Sequence, residues 1–273
     1  MKLTKEQVEH YLSIKKIKGL SERWINENRH ILNKYLSGIN WKIHEKATIT
    51  YLLRIKDTIS QSYYRKHILQ IRMLLAYLKI DWAQKLQPPK ETRHRVKRIS
   101  KENLQETLNY FSSHKHFKQL KALIYLGATS GLRPWELYQL KPEDIDIEKR
   151  TIYVNHNPRM GQTTKTGKSR VSFFTKEAQK TLIDYMKWFA TQHELICLFG
   201  QKTGERAFRK APIKVKDLRK FFSQEWERQS GSYAVKEILL GHSLKKSVDL
   251  QHYTVLDERD LKKIYDKVGI KIS

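Results

Sequence analysis

Apolar residues recur at intervals of three and four along four successive stretches at the front of the chain. These are Val8, Tyr11 and Leu12; Trp24, Ile31, Leu32, Tyr35 and Leu36; Ile49, Leu52, Leu53 and Ile59; and Tyr64, Ile68, Ile71, Leu75 and Leu78. That spacing places one apolar stripe on each of four helices. The joints at Lys18 to Ser21 and Ser37 to Asn40 are short and polar, so the stripes close on one another in a compact bundle. Thr4 and Gln7 have the separation of a capping box, which opens the first helix. Residues 1–83 therefore read as one small helical domain.

The pattern stops at Gln84 to Ser100, QKLQPPKETRHRVKRIS, where Pro88 and Pro89 interrupt regular structure and residues 84–99 describe an extended basic linker. A second domain, 100–273, begins with Ser100 as N-cap of a helix carrying Leu104, Leu108 and Phe111. A helix from Phe117 to Ala128 follows and ends at Thr129-Ser130-Gly131, and Pro134 suits the first position of the next one. After Lys141 the period shifts from helical to alternating. Thr151 to His156, a short segment around Thr163 to Lys165, and Arg170 to Phe174 read as a small antiparallel sheet, with a turn at Thr166-Gly167. Helices return over Lys176 to about Gln192, over VKDLRKFFSQEW after a loop from Gln201 to Pro212, and then over Ala234–Leu240, Leu244–Tyr253 and Glu258–Val268. The expected fold class is mainly α with a small antiparallel β-sheet.

Charge changes the picture. Fifty-four Lys and Arg against 28 Asp and Glu leave a formal net charge of +26. Such an excess repels itself in a folded protein unless a polyanion screens it, which points to a nucleic-acid partner. Lys90, Arg93, Arg95, Lys97 and Arg98 in the linker, and Arg65 and Lys66 on the bundle, are the candidate phosphate contacts. The linker is then a strap that crosses DNA between the two domains. No apolar run approaches the roughly eighteen residues of a membrane span, and the start does not read as a secretory signal, so a cytoplasmic location on the host nucleoid is expected. Cys197 stands alone, which excludes a disulfide framework or a thiolate metal site within the chain. His114-x-His116 lacks companion ligands, and no phosphate-loop or dinucleotide glycine pattern occurs, so neither metal nor cofactor is expected.

The candidate chemistry lies in the second domain. An arginine at a helix start, as at Arg133, is electrostatically poor unless an anion binds there. Arg219 occupies a comparable turn-to-helix setting. Near the end, LLGHSLKKSVDLQHYTV places Tyr253 eleven positions beyond His242. Cleaving a phosphodiester without metal requires a nucleophile, an acid for the leaving 5′-oxygen, and fixed cations around the non-bridging oxygens. Arg133 and Arg219 suit the clamp, Glu136 would orient Arg133, and Tyr253 would attack.

Taken in order, T-S-G-L-R-x-x-E-L from Thr129 to Leu137, a hairpin lysine, K-x-x-R from Lys216 to Arg219, L-G-H from Leu240 to His242 and a late tyrosine resemble the tyrosine recombinases, or phage integrase family. Lys216 stands where much of the family has histidine, a variant similar to some archaeal and viral integrases. The resemblance implies a core-binding domain followed by a catalytic domain, and makes Lys165 the general acid, with Lys168 as the competing choice. His242 would hydrogen-bond the phosphate or assist the tyrosine. The implied activity is site-specific recombination through a covalent 3′-phosphotyrosyl intermediate. Four protomers would act on two DNA sites through a Holliday junction, with room for accessory DNA-bending proteins. Glu258–Val268 is the candidate docking arm between protomers. An integrase of a mobile element is the first expectation. A Xer-like dimer resolvase, a type IB topoisomerase-like enzyme and a non-catalytic DNA-binding protein are the alternatives. Whether Tyr253 acts in its own subunit or in a neighbour's stays open.

Overall fold

The computed structural model describes residues 1–91, 96–191, 196–242 and 256–272. The chain divides into two compact units, Met1–Arg95 and Val96–Ser273, each with its own apolar core. Among the described residues no helix is long and apolar enough to cross a membrane.

The first unit holds α1 (Lys5–Ile17), α2 (Glu22–Gly38), α3 (Glu45–Lys56) and α4 (Gln61–Tyr77). Thr4 and Gln7 form the expected reciprocal capping box, and Ser21 and Ser60 cap α2 and α4 by accepting from Trp24 N–H and Tyr63 N–H. Tyr11, Ile31, Leu32, Tyr35, Leu36, Ile71 and Leu75 fill the interior. The third stripe is corrected. α3 turns Thr48, Tyr51, Leu52 and Ile55 inward. Ile49 and Leu53, one helical turn apart on another face, are 44% and 62% exposed. A 3₁₀ turn covers Asp81–Lys85, and Arg65 Nη1 on α4 donates to Pro89 O at 2.5 Å.

The second unit is built on α5 (Lys101–Phe111), α6 (Phe117–Ser130) and α7 (Pro134–Tyr138), then a three-stranded sheet of β1 (Ile145–Asp146), β2 (Thr151–Val154) and β3 (Arg170–Phe173). Five helices follow: α8 (Lys176–Phe189), α9 (Gln201–Ala207), α10 (Val215–Arg228), α11 (Tyr233–Leu240) and α12 (Glu258–Val268). α6 is the central strut and packs against α8 and α10. It ends at Gly131, whose φ of +67° closes the helix while the Phe222 ring fills the space a Cβ would take, 2.5 Å away.

All strand pairs are antiparallel, with Ile145 opposite Ile152 and Val154 opposite Arg170. Two expectations change here. The third strand is the two-residue β1, and Thr163–Lys165 is not a strand. The backbone N–H groups of Thr163 and Thr164 go to side chains, Gln139 Oε1 and His156 Nδ1, so neither remains for a ladder. The expected loop after Gln201 contains α9, where Gly204 lets the Tyr138 ring approach to within 2.9 Å of a would-be Cβ.

α12 packs into its own unit. Leu261, Tyr265 and Val268 are buried, Tyr265 Oη donates to Thr129 O at 2.8 Å, and Ile270 and Ile272 continue that packing. Tyr265 is therefore a core residue, and burial pushes its phenol far above the ordinary value. Tyr233, by contrast, is exposed at the start of α11 beneath Lys236. The expected helix over Leu244–Tyr253 lies outside the described residues.

Candidate active site

Three helix ends meet where α6, α7 and α11 terminate or begin. Pro134 starts α7 and leaves Arg133 at its N-cap, with Arg133 N–H donating to Glu136 Oε2 at 2.8 Å. The Arg133 side chain turns across the C-terminal end of α11. Its Nη1 donates to Glu136 Oε1 at 3.0 Å and to Leu240 O at 3.3 Å, and its Nη2 donates to Gly241 O at 3.3 Å. Arg219, on the second turn of α10, reaches the same place from the other side. Its Nη1 donates to Gly131 O and its Nη2 to Leu240 O, both at 2.9 Å. Two guanidiniums thus share one carbonyl oxygen, Leu240 O.

His242 completes the cluster. Arg219 Nη2 lies 2.9 Å from His242 Nε2, and His242 Nδ1 lies 2.8 Å from Glu237 Oε2. A guanidinium cannot accept a hydrogen bond, so Arg219 donates to a bare Nε2 and the imidazole proton sits on Nδ1, facing the carboxylate. Gly241, at φ +64°, makes the turn that carries His242 round to Arg219.

Glu136 is the buried centre of the arrangement, with its side chain 2% exposed. Besides Arg133 it binds Arg170 at 3.0 and 2.8 Å, and Arg170 Nε donates to Leu239 O at 2.9 Å. Burial alone would raise this carboxyl's pKa. The bonds and charge of Arg170, then those of Arg133, outweigh it and hold the group below the ordinary carboxylate value.

Arg219 is not paired in that way. Asp217, the carboxylate nearest in sequence, caps Lys214 N–H at 3.0 Å and binds Lys220 Nζ at 2.9 Å. Burial, with the like charge of Arg133 next, lowers the Arg219 pKa to about 9. It stays protonated at neutral pH, and an anion placed between the two arginines would relieve both causes.

The other candidates are placed as follows. Lys165 is exposed, one residue into a turn closed by Gly167 N–H on Thr164 O, and Lys168 is exposed just beyond it. Lys216 is exposed in the first turn of α10, three residues before Arg219. Lys90, Lys97 and Arg98 are exposed. Arg65 is tied to Pro89 O, and Lys66 pairs with Glu27. Arg93, Arg95 and Tyr253 lie outside the described residues. His114 and His116 bond to each other, the ring Nδ1 of the first accepting from the backbone N–H of the second at 3.1 Å. Among the described residues no three potential ligands gather as a metal site.

The structure thus brings together Arg133, Glu136, Arg219 and His242. It adds Arg170 and Glu237, which sequence reasoning missed. Arg170 carried one usable signal: in RVSF it shares parity with Ser172, whose buried hydroxyl donates to Ser130 O at 2.7 Å, so that face of β3 is both polar and inward. Glu237 carried none, because only the turn at Gly241 sets it beside His242.

The profile of the phage integrase family matches residues 97–259, three-fifths of the chain. The chain belongs to the phage integrase family. It is thereby a tyrosine recombinase, of the enzyme class that cleaves and rejoins DNA. It is similar to tyrosine recombinase XerA of Saccharolobus solfataricus, 28% identical over 71% of this chain and 64% of that protein. It is also similar to tyrosine recombinase XerA of Thermococcus onnurineus, 23% identical over 99% of this chain and 94% of that one. A solved lambda integrase dimer bound to a COC′ core site has the same fold. Its TM-score is 0.71 at 16% identity, covering 99% of this chain and 98% of that one.

Proposed function

We propose that the chain is a site-specific DNA recombinase in which Tyr253 attacks a phosphodiester held between Arg133 and Arg219. The observation that carries the reading is the convergence of both guanidiniums on Leu240 O. A neutral carbonyl there takes hydrogen bonds from two cations. A non-bridging phosphate oxygen, bearing charge, is the better acceptor and displaces it.

In the cleavage step the Tyr253 oxygen forms a bond to phosphorus as the bond to O5′ breaks. Lys165 gives a proton to O5′, and the phenolic proton passes to His242 Nε2, which is free once Arg219 turns to the phosphate. Glu237 steadies the imidazolium through Nδ1–H. Lys216, on the same helix face as Arg219, adds a cation at the phosphate. Attack by a 5′-hydroxyl on the phosphotyrosine reverses each transfer and releases the phenol, so rejoining needs no cofactor.

Lys90, Arg93, Arg95, Lys97 and Arg98, with Arg65 and Lys66, supply phosphate contacts along double-stranded DNA. Strand exchange involves self-association to a tetramer on two sites. Integration and excision of a mobile element is the first biological role. A Xer-like resolvase is the second, favoured by the similarity to the two proteins named XerA. Arg219→Ala tests the clamp. Covalent complex formation should fall by roughly 10²- to 10³-fold, as when a fixed donor to developing charge is removed, while retardation of duplex DNA persists. Undiminished cleavage would remove Arg219 from the reaction.

A further inference from the structure

The segment 155–169, which carries Lys165, is fastened to α7, the helix that starts at Arg133, by side chains with no part in the chemistry above. Trp135 Nε1–H donates to Thr163 Oγ1 at 3.1 Å. Gln139, one turn further along, accepts from Thr163 N–H through Oε1, and its own carbonyl accepts from Gln162 Nε2 at 3.3 Å. Gln162 Nε2 also donates to Asp144 Oδ2 at 2.7 Å, whose other oxygen takes Asn155 Nδ2 at 2.7 Å. Within the segment, Thr164 is held by His156 Nδ1 through its N–H and by Lys168 O through its hydroxyl. Lys165 comes next, with no hydrogen bond or ion pair among the described residues.

Trp135 itself is 51% exposed. Its indole does not fill the core, and the hydrogen bond it makes is the one to Thr163. Thr163 is two residues before Lys165, and Trp135 is two residues after Arg133. The bond therefore joins the element bearing the phosphate clamp to the element bearing the proposed acid.

We propose that Trp135 and Thr163 form a latch that positions Lys165 against the Arg133 clamp, so that the proton donor is in place when phosphate enters. This rests on the reading of Lys165 as general acid. The latch residues touch neither phosphate nor leaving oxygen; they are positioning residues, acting through the lysine.

The test compares two substrates that differ in one atom: a nicked duplex with the natural 5′-oxygen leaving group, and the same duplex with sulfur at that bridging position. An alcohol is so weak an acid that its oxygen needs a proton to leave, whereas a thiol, with a pKa of about 8.5, departs as thiolate. Lys165→Ala should lose about 10²- to 10⁴-fold on the oxygen substrate and regain near wild-type rates on sulfur. Trp135→Phe keeps an aromatic side chain and removes the N–H, and Thr163→Val keeps the shape and removes the acceptor. Each should lose roughly 10- to 100-fold on oxygen, regain the rate on sulfur, and be no worse together than apart. General damage to the fold would lower both substrates equally.

If Lys165→Ala is rescued by sulfur but Trp135→Phe is unaffected, or is impaired alike on both substrates, the latch is overturned and the acid reading stands. If Lys165→Ala is not rescued, the acid reading fails and the latch falls with it. Lys168→Ala, run alongside, should lose little on either substrate; a loss rescued by sulfur there would transfer the acid role and overturn the pairing with Lys165.

Discussion

In the N-terminal unit Tyr11 Oη, Asn28 Oδ1, Tyr51 Oη, His67 Nε2 and Gln70 Oε1 are buried without a hydrogen-bond partner among the described residues. Among its described residues the C-terminal unit leaves one such atom, Glu225 Oε2, and Arg228 stands 3.1 Å from it. Where the second unit buries charge, it joins the charges into a network, with Glu136 holding Arg133 and Arg170 and Glu237 holding His242. The front bundle is held by apolar packing and tolerates polar groups it does not satisfy. The rear unit fixes the directions of its charged groups. The difference matches the proposed division of labour: laying a basic surface on a duplex tolerates small displacements, while transferring a phosphoryl group does not.

The sharpest way to break this comparison is at Glu136. Glu136→Ala leaves two arginines buried without their carboxylate and should destabilise the C-terminal unit by about 3–5 kcal/mol, abolishing cleavage as well. Denaturant unfolding of the full chain, followed by signals specific to each unit, should show that loss in one transition only. A change under 1 kcal/mol would mean that the network is not what holds the site.

Acid should separate the units by pH range. Burial holds the His67 imidazole below its ordinary pKa, and the positive charges of Lys34, His30 and Lys66 add to the effect. Its contribution is complete above the unfolded value of about 6.5 and is lost as pH falls from there toward the folded value. Glu136 is also depressed. Its contribution is complete above the unfolded value of about 4.3 and is lost only as pH falls through the folded one. Thermal melts between pH 7 and pH 5 should therefore lower the N-terminal transition first. Equal loss in both transitions over that range would contradict the assignment.

The smallest effect is expected at Asn28, whose Nδ2 donates to Trp24 O at 2.6 Å while its Oδ1 is unpartnered. Asn28→Leu removes a donor and an orphaned acceptor together, so stability should stay within about 1 kcal/mol of wild type. A loss near that of Glu136→Ala would show that the front core is as tightly specified as the rear.

How much of this was legible in the sequence follows the range of the interactions. Helices set by local spacing and caps, such as those after Thr4, Ser100 and Pro134, could be read directly, and so could the turn at Gly167. Elements set by distant partners could not. β1 is two residues long and exists through its pairing with β2, and Thr163 looks strand-like until the Gln139 and Trp135 side chains take its polar groups. Ile49 and Leu53 show the reverse error, since apolar spacing alone does not say which face of α3 turns inward. At the active site, Arg133, Glu136, Arg219 and His242 were marked by helix ends and motif order. Arg170, hinted at only by its parity with Ser172 in RVSF, gains its partners when β3 lies against α7, and Glu237 becomes visible only when the turn at Gly241 sets His242 beside it.

The account turns on the hydroxyl of Tyr253. Wild type and Tyr253→Phe should be incubated with a nicked duplex that releases a short fragment on cleavage, and the products digested and mapped by mass spectrometry. Wild type is predicted to carry a DNA 3′-phosphate on the peptide containing Tyr253, and the variant to bind the same duplex without a covalent product. A 3′-phosphoryl adduct of undiminished yield in Tyr253→Phe, or one mapped to another residue in wild type, would contradict the central claim.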